Sequence, residues 1–426
     1  LSTSPSPTRA ILTPTTATVI LSGGLLALLV LVSAMPPLGT AAYLAGLPMA
    51  AEDLGITTGA AQLTLTVYII GLALGQVVIG PLSDRLGRRK PLLIGIGAFV
   101  IFSVAIAFSP NLEVMLGLRL LQGISASAGM VLGRAIVHDL VQGDRAARAL
   151  NIITAAGLIV PALAPLLGSA ILAFADWRTI FLVLAGLGAA VGIWSAIKIP
   201  ETHPVPKGET AKGTEASTPA GRYQATVPPS SPLRFAMYTA VVSFAFMAMY
   251  SYVSSAPFIF QQLHGFTPAG YAWAGALLSL TMAGVGIAGS RLIGSTNRFG
   301  VLTASSAVLI GLVVLVVGSV LVLITVLTEA HVAWYIAALA VAVAPVALIS
   351  GSASALAMDA SPLRGGASSA VIGFTQSLLG AAAPPLVGVL GVDARPMAAV
   401  LVSAALLAIA AALIAESTKA KTRTSL

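Results

Sequence analysis

Seven consecutive residues, Asp84 to Lys90 (DRLGRRK), carry five charges in a chain of 426 residues that is only 8% charged. Further on, Arg119 stands inside an apolar stretch and is followed one helical turn later by Gln122. Few other side chains are equipped for chemistry. There is no cysteine, which removes disulfides, thiol nucleophiles and thiolate metal sites together. His138, His203, His264 and His331 fall in loops or at the ends of apolar stretches, without ligand spacing. No nucleophile–base pairing, metal cluster or Walker-type loop is recognisable, so no enzyme is expected. What remains is charge handling: pairing, gating and the movement of protons.

The elements that position these charges follow from composition. The chain is 57% hydrophobic with a mean hydropathy of +0.98, far above a soluble globular protein. A bilayer core of about 30 Å takes roughly 20 apolar helical residues per crossing. Twelve stretches meet that demand, near 19–46, 60–82, 91–109, 113–139, 148–173, 178–199, 234–261, 268–292, 301–327, 332–358, 366–390 and 396–415. The first is too long for a signal-peptide core and leads into a second span, so it reads as helix 1. Residues 1–17, rich in Ser, Thr and Pro, read as a disordered tail. The fold class is therefore an all-α membrane protein of 12 transmembrane helices.

Charge sets the orientation. With an even number of spans, both tails and the even-numbered loops share one side. All 22 Lys and Arg lie there except Arg178, Arg395 and the embedded Arg119. Cytoplasmic loops collect Lys and Arg, so both termini are expected in the cytoplasm. The net charge of +8 is then topology and not a nucleic-acid footprint. Residues 201–232 form the single long polar segment and read as a linker. They divide the chain into an N-terminal bundle (18–200) and a C-terminal bundle (233–416), with a short tail at 417–426. A weak internal repeat agrees: GPLSDRLGRR from Gly80 and GSRLIGSTNR from Gly289 both open on Gly and close on Arg.

These segments bring a resemblance into view. The GPLSDRLGRRK stretch resembles the loop signature of the major facilitator superfamily, which joins helices 2 and 3. The run Arg119-Leu-Leu-Gln122-Gly123 is similar to a helix 4 motif of its drug:proton antiporters of the Bcr/CflA type. GLIVPALAPLLGS (157–169) resembles their helix 5 antiporter motif, and DWRTIF (176–181), PET (200–202) and SSAPFIFQQLHGFTP (254–268) also match. The resemblance implies two six-helix bundles that rock about a midplane site. It also implies export of amphipathic small molecules, such as amphenicol or cationic antibiotics, across the inner (cytoplasmic) membrane. No cofactor is implied, the proton gradient being the energy source. The partners are the small-molecule substrate and the lipid bilayer, with the monomer as the working unit. An uncoupled or differently coupled metabolite or sugar carrier of the same fold is the alternative.

Site expectations follow in the same terms. Gly80, Asp84, Arg85, Gly87, Arg88 and Arg89 form a cytoplasmic gate, in which Gly80 admits a close helix and Asp84 pairs with cations across the bundle interface. Arg119 belongs to a small or polar stripe with Gln122, Gly123, Ala126 and Met130. It is either a structural arginine bonded to backbone carbonyls or part of the transport path. On helix 5, Gly157, Pro161, Pro165 and Gly168 share one face that packs tightly and bends. Tyr43, Tyr68, Tyr250, Phe258, Phe374 and Gln376 are expected to line the substrate cavity.

One position departs from the family pattern. Where these antiporters carry an acid near the end of helix 1, in a segment like T-D-x-Y-L-P, this chain reads GTAAYLAGLP, with Ala41 at the acid's place. A proton antiporter needs a group whose pKa moves as the site alternates. Yet all fourteen Asp and Glu lie in loops or within a turn or two of a span end. Three explanations stand: coupling through Glu113, Asp139 or another interfacial acid; a carrier that is uncoupled or differently coupled; or an engineered Asp→Ala change.

Overall fold

A computed structural model describes residues 22–141, 143–202, 231–293, 296–297, 300–301, 303–363, 365–390 and 394–424. The tail at 1–17 and residues 203–230 of the linker lie outside these residues. The described chain is almost wholly helical. The N-terminal bundle contains α1 (Gly23–Leu44), a short α2 (Leu47–Asp53), α3 (Thr58–Leu86), α4 (Arg89–Ala107), α5 (Leu112–Leu140), α6 (Gly143–Leu172) and α7 (Trp177–Lys198). The C-terminal bundle contains α8 (Pro232–Phe258), α9 (Pro268–Leu292), α10 (Ala304–Leu327), α11 (Val332–Val343), α12 (Val346–Ala360), α13 (Gly365–Leu390) and α14 (Ala394–Thr424). Two two-residue strands, β1 (Thr296–Asn297) and β2 (Gly300–Val301), pair between α9 and α10. Eleven spans qualify by length and apolarity alone, and α6, thirty residues long, makes the twelfth crossing.

Local sequence explains where the helices start. Ser22, Thr57, Asn111, Asp176, Ser231, Thr267 and Thr303 each accept a bond from a backbone N–H of the first turn of α1, α3, α5, α7, α8, α9 and α10. These polar side chains satisfy donors that a helix cannot satisfy itself. Proline explains where the helices bend or break. Pro345 separates α11 from α12, so the tenth span is two helices in line. After Pro257 the eighth helix continues through one π-helical turn, Ile259–Leu263. The last helix runs on to Thr424, past the expected end of its span at 415.

Apolar burial cannot draw helices together inside lipid, so close packing of small residues does. A Cβ on Gly71 would strike the Leu120 carbonyl oxygen, and one on Gly123 would strike that of Tyr68. These glycines let α3 and α5 touch backbone to backbone. Pro36 leaves the Val32 carbonyl without a helical donor, and α5 fits there through Gly129, where a Cβ would collide with that oxygen.

The two bundles meet along two seams, α3 against α13 and α6 against α9. These are spans 2 with 11 and 5 with 8, and moving each span on by six exchanges one pair for the other. The 6 + 6 repeat, faint in the residues, is explicit in the packing.

Candidate functional site in the N-terminal bundle

Arg119 is wholly enclosed, and no other charged side chain is buried among the described residues. It lies about two turns into α5. Its Nη1 donates to the Gly39 carbonyl on α1 (3.2 Å) and to Gln122 Oε1 (2.7 Å), and its Nε donates to the Thr64 carbonyl on α3 (3.3 Å). The guanidinium carbon sits 4.3 Å from the centre of the Tyr68 ring, 5.2 Å from Tyr43 and 5.5 Å from Phe181. The missing anionic partner is thus replaced by carbonyl dipoles and by the negative faces of three rings. The shell is itself anchored. Gln122 Nε2 donates to Ser103 Oγ (2.7 Å), Ser103 donates to the Phe99 carbonyl (2.6 Å), and the Tyr68 hydroxyl donates to the Pro36 carbonyl (2.9 Å). Five helices converge on one cation.

The structure gathers Arg119, Gln122, Tyr43 and Tyr68 into this one cluster, all of them buried. That differs from the expectation that the tyrosines line an open cavity, because the arginine draws their rings inward. Phe258 is likewise buried, in the C-terminal bundle. Tyr250 is half-buried and stacks over Gly380 of α13, where a Cβ would come within 3.0 Å of its ring. Phe374 and Gln376 are half-buried on the same helix. Ala41 is buried in α1, but it does not face Arg119. The Tyr43 ring does, and residue 41 is two positions away, about 200° around the helix. On α6, Gly168 packs so closely on α1 that a Cβ there would strike the Ala42 carbonyl oxygen. Pro165 is buried and Pro161 is half-buried. Gly157 departs from the expected packing face: it is exposed, with open space beside it.

The Asp84–Lys90 cluster is closed within its own bundle. Arg88 Nη1 bonds Asp84 Oδ1 (2.5 Å) and Ser83 Oγ (2.6 Å), and its Nε bonds Asp139 Oδ2 (3.2 Å) at the end of α5. Glu201 accepts from the backbone N–H of Arg88 (2.7 Å) and Arg89 (3.3 Å), and Arg89 Nη2 reaches the Ala196 carbonyl (2.6 Å). A left-handed backbone at Gly87 (φ 83°) allows the turn, and a Cβ there would strike Glu201. Arg85 follows Asp84 in the last turn of α3. Two expectations are corrected here. Asp84 pairs with Arg88 and not across the interface, because Arg88 is one turn away in sequence and already oriented by Ser83 and Asp139. Gly80 meets no helix in this conformation: nothing lies within 4 Å of its Cβ position.

The bundles touch instead on the side opposite these basic loops. The Gly59 and Gly388 backbones meet, with a Cβ on Gly388 falling 2.8 Å from Gly59 Cα. Gln62 Nε2 donates to the Ser254 carbonyl (3.3 Å) and reaches Ser255 Oγ (3.5 Å), and Gln261 Nε2 donates to the Ala45 carbonyl (3.1 Å). This latch is uncharged. Sequence reasoning did not single out Gln62, Gln261 or the glycine pair, though a lone Gln inside an apolar span was a visible signal. On the same side Arg178 pairs with Asp53, which also accepts from Trp177 Nε1. The hydrogen bond from Arg178 holds the Asp53 carboxyl below its ordinary range, against a smaller opposing effect of burial. With a lowered value, Asp53 stays ionised at neutral pH, and the pair is lost only as pH falls through that value.

The sequence matches the Major Facilitator Superfamily profile over residues 29–385. This chain belongs to the Major Facilitator Superfamily. Among relatives of this transporter, the uncharacterized MFS-type transporter YdgK of Bacillus subtilis is 32% identical over 88% of the chain and 90% of the relative. A chloramphenicol resistance protein of Pseudomonas aeruginosa is 33% identical over 68% of the chain and 65% of the relative. The multidrug resistance protein MdtL of Klebsiella pneumoniae is 28% identical over 57% of the chain and 60% of the relative. Two solved structures share the fold. A POT family transporter in complex with a thioalcohol-conjugated peptide superposes with a TM-score of 0.73, at 14% identity over 93% of this chain and 96% of that one. A bacterial homologue of the human lysosomal transporter Spinster, in an inward-facing and occupied conformation, gives 0.69 at 17% identity over 92% and 96%.

Proposed function

We propose that this transporter exports amphipathic small molecules, amphenicol antibiotics among them, across the inner (cytoplasmic) membrane, with both termini in the cytoplasm. The observation that carries the reading is the enclosed Arg119–Gln122 site, which falls on the helix 4 motif shared with drug:proton antiporters. The chloramphenicol resistance and MdtL relatives support it. Substrate would enter between the bundles and leave as they rock about the α3–α13 and α6–α9 seams. The latch at Gln62 and Gln261 opens in one half of that cycle. The space beside Gly80 is filled in the other, when the Asp84–Lys90 loop meets the C-terminal bundle. The monomer suffices, since one chain supplies both bundles, and the proton gradient supplies the energy without a cofactor.

Ala41 favours a second reading, a carrier of the same fold that is uncoupled or coupled differently. Proteoliposomes decide between them. Uptake of labelled chloramphenicol is followed under an imposed pH gradient for the chain as it stands and for Ala41→Asp. Concentration by both at equal rates supports coupling through another group. Concentration by the Asp variant alone supports the uncoupled reading, and concentration by neither counts against drug:proton antiport.

A further inference from the structure

The one buried charge of the described residues is positive, and every group that touches it is neutral. Carbonyl dipoles and ring faces satisfy the donors of Arg119 but carry no net charge, so they leave its long-range field in place. The satisfaction is also incomplete, since Nη2 is enclosed with no partner. Among the described residues, no acid offsets it within the membrane interior. Asp53, at the end of the bundle nearer Arg119, is matched by its pairing with Arg178, and Glu113 is exposed in the first turn of α5. Arg134, about four turns further along α5, adds a second positive charge on nearly the same face.

That field reaches the space between the bundles. Arg119 is one ring away from it: Tyr68 covers the guanidinium at 4.3 Å, and Tyr68 belongs to α3, the helix that packs against α13 of the opposite bundle. At roughly 10 Å and an effective dielectric of about 20, a unit charge alters affinity on the order of tenfold, in opposite senses for an anion and a cation. We infer that the site between the bundles selects neutral and anionic amphiphiles and rejects cations, with Arg119 as the selecting charge. The inference rests on the export reading above and narrows its substrates. Arg119 acts through its field, without touching the molecule carried.

Tetraphenylborate and tetraphenylphosphonium have the same shape and opposite charge, and their equilibrium binding to the full chain in detergent tests this. Chloramphenicol serves as the neutral reference. Tetraphenylborate is expected to bind at least tenfold more tightly than tetraphenylphosphonium. Arg119→Lys should keep that ratio, whereas Arg119→Gln should lower it tenfold or more while chloramphenicol still binds, a pairing of results that a purely structural arginine would not produce. Tetraphenylphosphonium binding as tightly as the borate overturns the inference, as does a borate that fails to bind where chloramphenicol binds. In either case bound chloramphenicol leaves the export reading standing. If none of the three binds, both readings fall together.

Discussion

Gln122 is the residue through which the Arg119 site can be loosened without removing its charge. Its amide oxygen accepts from the guanidinium and its amide nitrogen donates to Ser103, so one side chain joins the cation to α4. Gln122→Leu deletes a charge-assisted bond inside a dry site, which costs about 1.5–3 kcal/mol. Ser103→Ala removes a neutral partner at about 1 kcal/mol. Thermal denaturation in detergent should therefore rank Gln122→Leu well below Ser103→Ala, and equal midpoints would contradict the network. Arg119 and Gln122 were legible in the sequence because polar groups inside an apolar span need a reason to be there. Gly39, Thr64 and Phe181 were not, since backbone carbonyls and one more aromatic residue leave no mark in an apolar stretch. For the same reason the alternative of a structural arginine bonded to carbonyls was sound on contacts alone.

The helix α3 carries two kinds of glycine that the sequence does not distinguish. Gly71 is pressed against α5, where a side chain would collide with the Leu120 carbonyl, while Gly80 on the same helix faces open space. Gly71→Leu should separate α3 from α5 and lower stability by about 1–3 kcal/mol, the usual range for overpacking. Gly80→Leu should leave the melting midpoint within the error of the measurement yet slow transport, if the vacant side is filled in another state of the cycle. A Gly80→Leu protein that is unstable, or that transports at the full rate, would contradict this assignment. Span positions were readable to within a few residues, because bilayer thickness constrains length and Ser, Thr, Asp or Asn marks most starts. The break at Pro345 and the short α2 were not read. A single proline is tolerated in membrane helices as often as it breaks them, and LPMAAED is too short to announce itself by periodicity.

The bundles are joined by amides on one side, while on the other the Arg88 ion pairs with Asp84 and Asp139 stay within one bundle. Gln62→Cys combined with Ser255→Cys places two thiols across the latch, where the native side chains approach to 3.5 Å. The natural absence of cysteine makes the pair unambiguous. Oxidation should join α3 to α8 within one chain and stop transport, with recovery on reduction; transport that continues at the full rate in the oxidised form would show that the latch need not open. The 6 + 6 plan was legible from the polar linker and from even-span parity. The seams were not, since they join residues far apart in the chain, more than three hundred positions for Gly59 and Gly388.

The shell around Arg119 also bears on how the molecule is made. Synthesis runs from the N terminus, so α1 and α3, with the Gly39 and Thr64 carbonyls and two of the three rings, emerge before the arginine does. α5 alone would enter lipid at a penalty of roughly 2.5–3.5 kcal/mol. Its partners already stand in the bilayer, and Phe181 on α7 arrives afterwards as the last wall. The order of the helices along the chain is thus also an order of assembly in which the cation is never left in lipid unattended.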